Sequence, residues 1–130
     1  ELQTPESYLG YARLARYDGS KLVANQEAPY MFAKSLPLND LSYAGRWTVG
    51  GEYIDAGQGA RLRLHFRADD IYIVLGGRGT VQALIDGKPT STLRVNSYRL
   101  YTVLAGKMSR GGLLELRFSP GVRAYSFTFG

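Results

Sequence analysis

The sequence predicts an all-β fold, a two-sheet antiparallel β-sandwich of the jelly-roll kind. Three observations carry that prediction. Sixteen glycines and ten tyrosines in 130 residues favour short strands and tight turns, because aromatic rings fit a pleated surface and glycine weakens a helix interior. Short apolar runs alternate with period two, and turn residues interrupt them at intervals of roughly 8–15 residues. The second half has no sustained helical period, and its connections are too short and too rich in Gly and Pro to hold the helices of a parallel α/β fold.

Thr4-Pro5-Glu6 has the form of a helix cap, a proline at the first helical position and a first-turn acid, so Pro5 to Leu9 is expected to make a short helical turn before Gly10. Residues 1–10 read as a lead-in segment. Tyr11 to Tyr17 has a mixed pattern that fits an edge strand or a continued helix, and the strand is the expectation here. Residues 18–45 hold Asp18-Gly19, Asn25, Pro29, Pro37, Asn39-Asp40 and Gly45, so they read mainly as connection, with short strands near Tyr30 to Phe32 and Leu36 to Leu38. Long decorated loops often carry ligand contacts. Arg46 to Ile54 is a strand pattern in which Gly50-Gly51 predicts a bulge or sharp bend.

Arg61 to Arg67 alternates throughout, with Leu62, Leu64 and Phe66 on one face and Arg61, Arg63, His65 and Arg67 on the other. Ile71 to Leu75 follows the turn Ala68-Asp69-Asp70, and the two runs are expected to pair as an antiparallel hairpin. Leu75 to Thr80 reads as a hairpin loop rather than a phosphate cradle, because it lacks G-K-[ST] and leads into a strand, Val81 to Ile85, instead of a helix. Asp86-Gly87-Lys88-Pro89 is a strong turn signal. Tyr98 to Leu104, Leu113 to Phe118 and Val122 to Phe129 bring the total to roughly seven or eight strands.

Hydrophobic residues at 45% and charged residues at 21% are ordinary globular usage. A chain of this length buries about two thirds of its unfolded surface, so residues 1–130 read as one domain. The longest apolar run, Ile71 to Leu75, falls far short of the ~20 residues of a membrane-spanning helix, so no direct membrane insertion is expected. Without cysteine the chain alone performs no thiol redox chemistry and offers no thiolate metal site. The net charge of +5 eases the approach of nucleic acid, acidic polysaccharide or a lipid surface, yet the arginines alternate with apolar residues as on a solvated sheet face.

His65 is the one histidine, with Arg63 and Arg67 two residues away on either side. Neighbouring positive charges repel a metal cation, and neither metal nor cofactor is expected. No G-x-S-x-G elbow is present, and Asp69-Asp70 reads as a turn rather than a catalytic carboxylate pair. The expected hairpin would set Tyr72 beside Arg67, making Arg63, His65, Arg67 and Tyr72 a shallow binding face. Such a face could stack nucleic-acid bases. It could equally take a saccharide, with a ring against the apolar face of the sugar and directed hydrogen bonds to hydroxyls. Trp47 is a candidate stacking residue, although a lone Trp on the strand face shared with Val49 is more often core.

Three stretches go beyond composition: Thr4-Pro5-Glu6-Ser7-Tyr8-Leu9-Gly10-Tyr11, Gly45-Arg46-Trp47-Thr48-Val49-Gly50, and Pro120-Gly121-Val122-Arg123-Ala124-Tyr125-Ser126-Phe127-Thr128-Phe129-Gly130. Together they resemble the C-terminal domain of DipZ-type thioredoxin-like electron-transfer proteins, over essentially the whole chain. The resemblance implies a sandwich similar to carbohydrate-binding modules (galactose-binding-like), cut from a longer protein of the cytochrome c biogenesis type. There, a CcdA-like membrane part and a thioredoxin-like domain with a C-x-x-C motif would lie upstream of Glu1. It further implies an extracytoplasmic location, on the periplasmic or cell-wall side. No catalytic residue carries over, since the redox motif has no counterpart here. The resulting expectation is a non-catalytic accessory domain for a glycan or cell-wall polysaccharide. The alternative is an interaction domain that packs on the thioredoxin-like neighbour without sugar. A single-stranded nucleic-acid binder ranks third, and no nucleic acid is expected as partner.

Overall fold

The computed structural model describes residues 2–106 and 110–130, which contain eleven strands and no helix. They are β1 (Ser7–Tyr8), β2 (Ala28–Tyr30), β3 (Leu41–Val49), β4 (Ile54–Ala56), β5 (Arg61–Ala68), β6 (Ile71–Gly77), β7 (Gly79–Ile85), β8 (Lys88–Val95), β9 (Arg99–Leu104), β10 (Arg110–Phe118) and β11 (Val122–Phe129). Every pairing between named strands is antiparallel. The front sheet runs β8-β7-β10-β5-β3 and the back sheet β3-β4-β11-β6-β9.

β3 belongs to both sheets. Leu41 to Ala44 pair with β5, whereas Gly45 to Val49 pair with β2 and β4. The bend falls at Gly45, whose φ of 79° lies in the left-handed region, and a Cβ there would collide with the Gly59 carbonyl. Strands that switch sheets through such bends make the corners of a sandwich. At the opposite side the Ser91 hydroxyl of β8 donates to the Val103 carbonyl of β9 at 3.4 Å, so the two sheets nearly close.

The core lies between the sheets. Leu62, Leu64 and Phe66 of β5 face Ile71, Ile73 and Leu75 of β6 within one buried cluster, and all six are fully buried. Trp47 stands at its centre, 5.8 Å from Tyr43 and 5.0 Å from Phe118 between ring centroids. Its indole N–H donates to the Ala44 carbonyl at 2.9 Å, and the Tyr43 hydroxyl donates to the Leu9 carbonyl at 2.7 Å. Burial pushes the Tyr43 phenol well above its ordinary value. These bonds let two amphipathic rings occupy the interior without orphaned polar atoms.

Several local expectations are corrected. The β5 and β6 runs do not form a hairpin: β5 pairs with β3 and β10, and β6 with β11 and β9. Asp69-Asp70 is instead an arch between sheets, pinned where both amides donate to the Gly130 carbonyl at 3.2 Å. The 75–80 segment likewise crosses between sheets rather than closing a hairpin, since β6 and β7 share no pairing. Arg46 to Ile54 is two strands joined by a tight turn, closed by Gly50 N–H donating to the Tyr53 carbonyl at 2.9 Å. Thr4 caps a strand instead of a helix: its hydroxyl accepts the Arg67 N–H at 2.8 Å, and Ser7–Tyr8 pair with β11. Residues 11–17 form turns with only a single bridge at Tyr17, and 36–38 form no strand. The Asp86-Gly87 turn is as expected, with φ of 51° and 82° closing the β7–β8 hairpin.

Candidate functional site

The outer face of the front sheet carries a cleft of about 300 Å³. Its floor is β5, where strand alternation turns Arg63 and His65 outward while their neighbours Leu62, Leu64 and Phe66 are buried. One wall is the Phe32–Leu36 segment, and the other is formed by Asp86, Gly112 and Leu113. The wall segment is tied down by Ala33 N–H donating to the Ser42 hydroxyl at 3.0 Å. On the far side Asp86 Oδ1 accepts the Leu113 N–H at 2.9 Å.

His65 Nδ1 lies 2.8 Å from the Leu36 carbonyl oxygen. A carbonyl only accepts, so Nδ1 carries the proton, and in the neutral ring Nε2 is left as an acceptor on a side chain that lines the cleft. Asp86, the carboxylate in this cleft, is committed to a backbone amide, and the imidazole is oriented by a carbonyl. The carboxylate–imidazole contact of a hydrolytic triad is therefore not made here.

Arg63 is held from two directions. Its Nε donates to Glu115 Oε1 at 2.8 Å, and its guanidinium sits 4.2 Å above the Phe32 ring. Glu115 Oε2 accepts from Arg117 at 2.7 Å, so one carboxylate bridges two arginines across β5 and β10. Burial raises the Glu115 pKa, but the hydrogen bonds and charges of Arg117 and Arg63 outweigh it, and the net direction is downward. The carboxylate thus stays ionised and the cleft keeps a fixed, directed donor at Arg63.

Of the residues singled out by sequence, the structure brings Arg63 and His65 together in this cleft. Arg67 shares their outer face but lies outside the cleft lining, near the end of β5, where its carbonyl accepts the Thr4 N–H at 2.8 Å. Tyr72 is on the other sheet, paired with Thr128 and Thr102, because the arch at Asp69-Asp70 replaces the expected hairpin. Trp47 is fully enclosed and presents no surface to a ligand. Phe32, Lys34, Leu36 and Asp86 were not among those residues. Only their placement in a long loop and a turn hinted at them.

The sequence profile of the family described as thioredoxin-like C-terminal domain matches residues 4–130. Proteins named DipZ from Mycobacterium bovis and Mycobacterium tuberculosis are each 33% identical to the chain over 128 residues, 98% of this chain and 18% of theirs. The chain therefore spans less than a fifth of the length of these curated relatives. Among solved structures, a family two carbohydrate esterase from Clostridium thermocellum in complex with cellohexaose aligns with a TM-score of 0.60 and 23% identity. The alignment covers 69% of this chain and 31% of that one. An active-site mutant of the same esterase aligns equally well. That likeness concerns the fold alone, the sandwich described above. With the family profile covering nearly every residue and relatives aligned along the same span, the chain belongs to the thioredoxin-like C-terminal domain family.

Proposed function

We propose that the chain is a non-catalytic accessory domain that binds saccharide in the front-sheet cleft. In this reading it serves a larger, membrane-anchored thiol-disulfide electron-transfer protein on the extracytoplasmic side, holding an upstream thioredoxin-like domain close to a glycan or cell-wall polysaccharide. Tethering of that kind raises effective concentration without new chemistry. The observation that carries the reading is the pre-fixed pair in the cleft: Arg63 clamped by Glu115 and Phe32, and His65 oriented by Leu36. A fixed donor at Arg63, an oriented imidazole at His65 and the apolar surfaces of Phe32, Leu36 and Leu113 match the alternating hydroxyl and C–H faces of a sugar.

Calorimetric titration with cellohexaose, an N-acetylglucosamine hexasaccharide and an oligogalacturonate tests the saccharide reading. We expect H65A and K34A each to weaken binding roughly tenfold, the loss of about one directed hydrogen bond. Binding of the neutral sugars should hardly respond to salt, whereas a nucleic-acid binder would lose affinity steeply. Equal affinities in wild type and both variants contradict the cleft assignment.

A further inference from the structure

The outer face of the back sheet carries a second set of groups, on the other side of the sandwich from the cleft. Tyr53, Tyr125 and Tyr98 form a row, with centroids 5.3 Å apart for the first pair and 4.9 Å for the second. Tyr125 falls where the β11–β6 register shifts between Ala124 and Ser126, and a bulge of this kind re-aims a side chain out of strict alternation. Arg123 lies 4.1 Å from the Tyr53 ring and donates to Asp55 at 2.8 Å, which fixes one end of the row.

Two clefts flank the Gly51-Glu52 ridge beside these rings. One, of about 170 Å³, is lined by Tyr8, Arg13 and Tyr125, and the Arg13 guanidinium stacks 3.7 Å over the Tyr8 ring. The other, of about 320 Å³, is lined by Asn25, Tyr53 and Asp55. Rings interleaved with carboxylate, amide and guanidinium groups offer stacking surface and directed hydrogen bonds together.

We propose that this face is a second saccharide site, separate from the cleft, at which Tyr125 and Tyr98 stack on sugar rings and Arg13 and Glu52 bond their hydroxyls. The inference rests on the saccharide-binding reading above and adds a site and a ligand form to it. Ring planes tilted by 55° and 64° cannot all lie flat on a crystalline polysaccharide surface. They fit a single, twisted chain in solution. With sites on opposite faces, one domain would bridge two glycan segments, and avidity would exceed either affinity.

The test is a map of backbone amide shifts during titration with cellohexaose and with an N-acetylglucosamine hexasaccharide, for wild type, Y98A and H65A. Tyr98 is 69% exposed, so Y98A leaves the core untouched. The expected wild-type map has two clusters, one at residues 32–36, 63–65 and 112–113 and one at 51–53, 98 and 125. In Y98A the second should weaken about 2- to 12-fold, the range for one lost ring contact, while the first persists. H65A should do the reverse. Shifts confined to the cleft overturn the second site and leave the proposed function standing. Shifts confined to the tyrosine face overturn the cleft and uphold this site, and no shifts with either sugar overturn both.

Discussion

Glu115 bridges Arg63 and Arg117 at 2.8 and 2.7 Å, so E115Q should both destabilise the fold and loosen the cleft donor. Both arginines reach solvent, with side-chain exposures of 35% and 50%. That holds the expected loss to about 1–2 kcal/mol at pH 7, below the cost of breaking a fully buried pair. Because the folded-state pKa of Glu115 is lowered, its contribution is present above the unfolded value near 4 and is lost as pH falls through the folded value. Urea unfolding of wild type and E115Q should therefore converge below about pH 4. A gap that stays constant to lower pH would place the effect elsewhere.

Asp40 works in the opposite sense. Its pKa is raised to about 6, chiefly by burial and then by the hydrogen bond and charge of Asp18, against the lowering influence of Arg16. A raised carboxyl gives stability that is complete below the unfolded value near 4 and lost as pH climbs through about 6. D40N keeps an uncharged group beside Asp18, so its urea midpoint should rise relative to wild type between pH 4 and pH 7. Trp47, fully buried, should report on the core alone. W47A is expected to cost about 3–5 kcal/mol, measured by urea unfolding.

At the scale of elements, the sandwich depends on β3 turning its corner at Gly45. With φ at 79° and the Gly59 carbonyl in the space of a Cβ, G45A should cost at least about 3 kcal/mol in urea unfolding, whereas an alanine at the open turn position Gly59 should cost less. The longer strands of the second half were legible in sequence except β8, whereas the strands expected at 11–17 and 36–38 do not form. The Arg61–Arg67 alternation and the Asp86-Gly87 signal name a strand face and a turn because period two and positive φ are local properties. Pairing partners were not legible. Alternation over β5 and β6 serves a hairpin and an inter-sheet arch equally well, and the arch goes with partners distant in sequence, β3 and β10 for one strand, β9 and β11 for the other, with the Gly130 carbonyl bonded at the turn. Thr4 shows the same limit, since a hydroxyl able to cap a helix caps β5 instead. The tyrosine row is not legible in sequence because Tyr53, Tyr98 and Tyr125 meet only through β-pairing and a bulge.

For the whole molecule, the two sheets hold one buried cluster while leaving an outer face on each side. The front face combines a basic strand with a bridging carboxylate, and the back face combines tyrosines with paired charges. The net charge of +5 already counts these acids, and two arginines on one Glu115 leave the front face positive, which eases the approach of acidic as well as neutral saccharides. Under the proposed function the domain acts by position, placing a redox neighbour beside a glycan. The most direct measurement of that account is the amide-shift titration of the isotopically labelled domain with cellohexaose at two salt concentrations. The account predicts saturable, salt-insensitive shifts that include the Phe32–Leu36 segment, Arg63 and His65. Shifts absent from those residues would contradict it.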